Sequence, residues 1–176
     1  MKLFLIRHLP TDWNDNGILQ GRQDIPIRDI DKKTEKEIQG IKKELNKVSI
    51  DVCFSSPLSR AVSTAKIYGF DSPIIDNRII EFDFGKYEGL KKEQMLIEQG
   101  SVWLENVEKI NMGESFKAFK TRIDEFIDDN KKNSNVLLFS HGFVIRYLIA
   151  KYRSKNLEEV NSIEVKNNKL YTIEVN

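Results

Sequence analysis

Two histidines are all that this chain of 176 residues contains. Each follows a short apolar run. Phe4-Leu5-Ile6 leads into Arg7-His8, and Val136-Leu137-Leu138-Phe139 leads into Ser140-His141-Gly142. A neutral imidazole near physiological pH is both a nucleophile and a proton carrier. Arg7 stands beside the first histidine, and Arg60 follows the run Val52-Cys53-Phe54 and Ser55-Ser56. Guanidinium groups present planar, bidentate donors to phosphate oxygens. A lone histidine or arginine after a strand is more often structural. Two of each at equivalent positions point to phosphoryl transfer.

For these groups to meet, the runs that carry them must be neighbouring parallel strands, because ligands of open α/β sheets bind outside the carboxyl ends of such strands. The pattern predicts a strand at 2–7, a polar loop at 8–28 with turns at Asn16-Gly17, Gly21 and Pro26, and a helix from Asp31 to Lys47. Its apolar positions Ile38, Ile41, Leu45 and Val48 share one face. A strand at 50–55 follows. Ser56-Pro57 then reads as the cap and first position of a helix ending near Tyr68, which puts Arg60 in a first turn with free backbone N–H groups.

A short strand at Pro73–Ile75, a loop at 77–89 and a weak helix at 90–107 come next. A firmer helix starts near Ser115, with Phe116, Phe119, Ile123, Phe126 and Ile127 as a core stripe. A strand at 135–140 and a helix at 143–152 complete the alternation. Ser162–Val165 and Lys169–Val175 around Asn167-Asn168 predict an antiparallel hairpin. The expected fold is α/β: a single three-layer domain over 1–176, with a mostly parallel sheet flanked by helices on both faces.

Composition narrows the function classes. With 28 basic and 27 acidic residues the net charge is +1, which gives no global attraction to nucleic acid or an anionic membrane. Lys42-Lys43, Lys91-Lys92 and Lys131-Lys132 are interleaved with acids and read as solvated faces. The single cysteine, Cys53, excludes an internal disulfide framework and reads as a buried thiol. Cys and His are too few for a structural zinc site. No stretch approaches a membrane span, and no signal-peptide pattern is visible. A reducing cytoplasm is the expected compartment. The oligomeric state is not legible.

The ordered motifs now allow a comparison. Leu5-Ile6-Arg7-His8-Leu9-Pro10-Thr11-Asp12-Trp13-Asn14 resembles the signature of the histidine phosphatase superfamily, also called phosphoglycerate mutase-like. Gln20-Gly21-Arg22 with Asp24-Ile25-Pro26, Ser55-Ser56-Pro57-Leu58-Ser59-Arg60-Ala61, Glu81 to Gly89, Gly113-Glu114-Ser115, and Ser140-His141-Gly142 resemble its later blocks, in the family order. Two departures stand out. Leu9 occupies a position usually held by Gly, and the Ser/Thr that often caps the first long helix is replaced by Asp29 or Asp31.

The resemblance implies a phosphomonoesterase similar to α-ribazole-phosphate and broad-specificity small-molecule phosphatases. It implies His8 as nucleophile, Glu81 as general acid and base, and Arg7, Arg60, His141 and Asn14 as phosphate-binding residues. Gln20, Gly21 and Tyr87 become candidate substrate contacts, and residues 86–113 become the cover of the pocket mouth, with Lys91, Lys92, Trp103 and Met112 as further candidates. Phe82 and Phe84 would shield the Glu81 carboxyl from water, against the opposing pull of the cationic pocket. Glu88 reads as structural. No cofactor, metal or nucleic-acid partner is implied. Mutases of the superfamily usually carry an arginine just after the catalytic glutamate and a longer insertion; here Phe82 follows Glu81 and the stretch to His141 is short. That favours water as the acceptor over mutase-type transfer. A phosphate-binding module without turnover is the non-enzyme alternative.

Overall fold

The computed structural model describes residues 1–154 and 156–175. Among them, five strands form one sheet: β1 (Lys2–Arg7), β2 (Val52–Ser55), β3 (Ile74–Ile75), β4 (Asn135–Ser140) and β5 (Leu170–Glu174). Their order is β3-β2-β4-β1-β5. The first four run parallel; β5 is antiparallel to β1. The helices are α1 (Asp12–Asp15), α2 (Lys32–Leu45), α3 (Ser59–Ile67), α4 (Lys92–Glu105), α5 (Phe116–Asn130) and α6 (Gly142–Ile149). This is the expected α/β architecture. No helix among the described residues is long and apolar enough to cross a membrane.

The apolar runs are continuous because both faces of the sheet are covered. Successive side chains point to opposite faces. Leu3, Leu5, Val136 and Leu138 pack with Phe116, Phe119, Ile123 and Phe126 of α5 and with α6. Phe4, Ile6, Leu137 and Phe139 pack with Ile38, Ile41 and Leu45 of α2 and Ala65 of α3. Burial is worth roughly 1.5–3 kcal/mol for each such side chain. Those three residues therefore hold α2 to the sheet, since its lysine-rich outer face contributes little.

The structure selects Asp31 as the cap of α2; its Oδ1 accepts the Thr34 amide at 2.7 Å. Two expectations change. The helix after β2 starts at Ser59 rather than Pro57. Its cap comes from the distant Asp24, whose Oδ1 accepts from the amide (2.8 Å) and hydroxyl (2.7 Å) of Ser59. Ser56 is thereby left to the strand end. The terminal hairpin also does not form. Leu170–Glu174 pairs with β1 instead, and residues 163–166 are not a strand. The Arg7 side chain draws that segment over the end of β1 by donating to the Val165 carbonyl at 2.7 Å. The Asn168 amide returns a bond to the Arg7 carbonyl at 3.1 Å. Asn168 sits at φ 53°, a left-handed conformation that asparagine tolerates.

Candidate active site

Strand order decides which chain ends meet. β4 lies between β2 and β1, and the register sets Arg7 beside Ser140 and Ser55 beside Phe139. The His8 amide donates to the Ser140 carbonyl and the Ser56 amide to the Phe139 carbonyl, both at 3.0 Å. The three expected strand ends thus share one edge. The His8 and His141 rings are buried with centroids 5.4 Å apart.

His8 Nδ1 lies 2.7 Å from the Leu9 carbonyl oxygen. A carbonyl only accepts, so this contact places the proton on Nδ1 and leaves the lone pair on Nε2. Burial, then the charges of Arg7 and Arg60, hold the imidazole neutral to well below its usual range. Leu9 takes the usual glycine position without a left-handed backbone. Its amide donates to Thr64 Oγ1 at 2.9 Å, and its side chain joins the core cluster with α2. A larger residue is therefore accommodated away from the cavity.

The two arginines are braced by backbone. Arg60 donates from Nη1 to the Gln23 carbonyl and from Nη2 to the Gly21 carbonyl, each at 2.6 Å. The Nε atoms of Arg7 and Arg60 are buried without a protein partner. Burial lowers both guanidinium pKa values, that of Arg7 to about 10. His141 Nε2 lies 2.7 Å from Ser56 Oγ, and its Nδ1 is unpartnered. Asn14 Oδ1 accepts from Thr11 N at 3.0 Å and Asn167 Nδ2 at 3.3 Å, which leaves its NH₂ as a donor.

Glu81 sits against the N-terminal turn of α6. Its Oε1 accepts the Phe82 amide at 2.9 Å, and the Phe143 amide is 3.3 Å from each carboxylate oxygen. Such a turn offers free N–H groups and a positive dipole end. Arg122 holds the approach to Glu81, donating to the carbonyls of Arg78 (2.5 Å), Ile80 (2.8 Å) and Glu81 (3.1 Å) and pairing with Glu114 at 2.8 Å. Nothing in the sequence singled out Arg122, a polar position between core residues of α5. Phe82 turns away into an aromatic cluster with Phe84, Phe119 and Phe143. Phe84, not Phe82, faces the cavity.

Glu88 ties the two loops of the site together. Its Oε1 accepts the amides of Arg22 (2.9 Å) and Phe84 (3.2 Å), and its Oε2 accepts Gln23 Nε2 at 3.2 Å. Gly21 is required here: its φ is +50°, and a Cβ would fall on the Glu88 carboxylate.

These elements enclose a cavity of about 240 Å³. Arg7, His8, Asn14, Gln20, Gly21, Arg60 and Glu81 line it, and the His141 ring lies beside that of His8. Tyr87 is corrected. Its 3₁₀ turn (Gly85–Tyr87) points the ring into the core, 3% exposed, and its hydroxyl donates to Glu98 at 2.8 Å. Of the other candidates in 86–113, Lys92 and Trp103 reach the lining, whereas Lys91 and Met112 do not. Arg146 also lines the cavity and was missed; the available signal was its place one helical turn beyond Gly142. Among the described residues no cluster of three or more His, Cys, Asp or Glu is placed to hold a metal ion. Cys53 is half-buried, and burial pushes its thiol up to about 12.

The geometry can be set beside known proteins. A family model, histidine phosphatase superfamily (branch 1), matches residues 3–176. Phosphoserine phosphatase 1 of Hydrogenobacter thermophilus is 30% identical over 158 residues, covering 83% of this chain and 73% of that protein. A 2,3-bisphosphoglycerate-dependent phosphoglycerate mutase of Thermoplasma acidophilum is 28% identical, covering 97% and 86%. The crystal structure of the alpha-ribazole phosphatase from Shigella flexneri superposes with a TM-score of 0.78 at 28% identity, covering 100% of this chain and 91% of that one.

Proposed function

We propose, from the premise that this chain belongs to the histidine phosphatase superfamily and is a phosphatase, that it hydrolyses small phosphomonoesters through a phosphohistidine on His8. The observation that carries this reading is the His8 ring itself: Nδ1 tied to the Leu9 carbonyl, Nε2 free, and a cavity lined by Arg7 and Arg60.

His8 Nε2 attacks phosphorus; the N–P bond forms as the ester P–O bond breaks. Arg7, Arg60, His141 and Asn14 hold the transferred oxygens and stabilise their charge in the transition state. The Glu81 carboxyl gives its proton to the departing alkoxide. Water then enters, Glu81 takes its proton, and hydroxide oxygen displaces the histidine nitrogen from phosphorus to release phosphate. Side-chain cations supply the positive charge, so the reading includes no metal. Phe82 gives its ring to the core, with no cation following Glu81, which favours water over a second hydroxyl as acceptor. A reducing cytoplasm is part of the reading, supported by the single, half-buried Cys53.

The test is hydrolysis of p-nitrophenyl phosphate in EDTA, with acid-quench-free trapping of labelled phosphate on the protein. Turnover and label on wild type, both lost in His8→Ala, are expected. Full activity in His8→Ala removes the nucleophile assignment. Phosphate binding without turnover or label indicates a recognition module instead. Conversion of 3- to 2-phosphoglycerate with 2,3-bisphosphoglycerate reads out the mutase alternative.

A further inference from the structure

Ser56 reads in the sequence as a helix cap, and the fold removes that task by starting α3 at Ser59 with Asp24 as the cap. What remains is a fully buried hydroxyl at the end of β2 that the mechanism above does not use. Its position is fixed from several sides. The Ser56 amide donates to the Phe139 carbonyl of β4 at 3.0 Å, and Ser55 Oγ donates to the Ser56 carbonyl at 2.9 Å. The Leu58 amide donates to Ser56 Oγ at 3.4 Å. The other contact of that oxygen is His141 Nε2, at 2.7 Å. His141 is equally buried, at the N-terminus of α6, and its Nδ1 has no protein partner.

The placement of two protons gives the direction of the Ser56–His141 bond. Burial first, then the charge of Arg60, holds the His141 ring neutral to well below its usual range, so the ring carries one proton. With that proton on Nε2, the ring would donate to Ser56 Oγ. The hydroxyl proton would then be buried with no acceptor among the described residues, and a bare Nδ1 lone pair would meet the oxygens that His141 is to hold. With the proton on Nδ1, the hydroxyl donates to Nε2, its lone pair accepts the Leu58 amide, and Nδ1–H is left as a donor. A buried donor without an acceptor loses its hydration for nothing, so the second arrangement prevails. We propose that Ser56 is a positioning residue whose hydroxyl holds His141 as the Nδ1–H tautomer, so that the ring donates to the transferred phosphoryl group. This rests on the phosphatase reading for the placement of that group. His8 carries its proton on the same atom, held there by a carbonyl rather than a hydroxyl. The carbonyl on Nδ1 of His8 leaves a nucleophile; the hydroxyl on Nε2 of His141 leaves a hydrogen-bond donor. One tautomer thus serves opposite tasks in neighbouring rings.

The test reads the ring as well as turnover. Nitrogen NMR of isotopically labelled protein distinguishes a protonated from an unprotonated imidazole nitrogen. The chain has two histidines, so His8→Ala leaves the ring signals of His141 alone and assigns those of the wild type. The expected wild-type signature at neutral pH is a protonated Nδ1 and an unprotonated Nε2 on His141. In Ser56→Ala the proton should redistribute toward Nε2, and kcat for p-nitrophenyl phosphate should fall roughly 10- to 100-fold. Ser56→Thr keeps the hydroxyl and should recover the tautomer and most of kcat. A wild-type ring protonated on Nε2 overturns the proposal, and that measurement suffices if Ser56→Ala does not fold. In Ser56→Ala, a moved proton with kcat unchanged, or a lower kcat with the proton unmoved, overturns it too. Turnover by a wild type with the proton on Nε2 overturns the role of Ser56 alone. The expected tautomer without turnover or label overturns the phosphatase reading alone.

Discussion

Lowering the pH from 7.0 to 5.5 should destabilise this protein by an amount set by its two histidines. Both rings are buried, and burial together with nearby arginines holds both pKa values well below 6.5. In the unfolded chain each returns to about 6.5 and takes up a proton as pH falls. Stability rises with pH wherever the unfolded state binds more protons. The histidine contribution is therefore fully present above 6.5 and is lost below it, down to the folded-state values. The unfolded value sets the upper bound of the effect. Each histidine contributes a loss of at most about 1.2 kcal/mol between pH 7.0 and 5.5, and the pair at most about 2.5 kcal/mol. Unfolded carboxylates titrate near 4 and scarcely enter this window. The loss is a sizeable part of a typical domain stability of roughly 5–15 kcal/mol. Urea unfolding at constant ionic strength, followed by Trp fluorescence, measures it. His141→Gln should halve the slope. Stability that is flat across the window, or higher at pH 5.5, would refute the placement of two neutral histidines.

Glu81→Gln should lower kcat by roughly 10²–10⁴ for alkyl phosphates. The loss should be smaller for p-nitrophenyl phosphate, whose leaving group needs little protonation; equal losses would remove Glu81 as the acid. Arg122→Met removes the Arg122 bonds to the Arg78 and Ile80 carbonyls, and leaves the Glu81 carbonyl and the Glu114 carboxylate with Arg22 and, for Glu114, the Asp83 amide. A cost of about 1–3 kcal/mol is expected, seen as a fall in Tm of roughly 5 °C together with a lower kcat. Gly21→Ala should cost about 1–2 kcal/mol for its left-handed backbone, plus the clash with Glu88. In a double-mutant cycle Glu88→Ala should recover the clash part, and strict additivity would refute that contact.

The convergence of the candidate site was legible because polar residues at strand ends are flagged locally. Arg7-His8 and Ser140-His141 each terminate an apolar run, and a run that short, bounded by turn signals, fits a strand buried on both faces. The α5 stripe was legible for the same reason, and the α2 cap was legible as Asp29 or Asp31: helix periodicity and capping are properties of a few neighbouring residues. Tyr87 misled because a tyrosine beside a site motif carries no sign of which way its turn points.

What only the tertiary structure decided are the long-range partners. Asp24 caps a helix 35 residues away. Arg122 props the Glu81 loop from 41 residues away. Glu88 joins two loops 66 residues apart. Arg146 and Lys92 come to the same cavity from different helices. Apart from Arg146, one helical turn beyond Gly142, none of these has a spacing to read, since their meeting depends on how the layers stack. The sequence alone therefore determined the phosphate chemistry and the strands that carry it. The packing of α4, α5 and α6 over the sheet decided what else faces the cavity, because charge brought together through space leaves no local pattern in the chain.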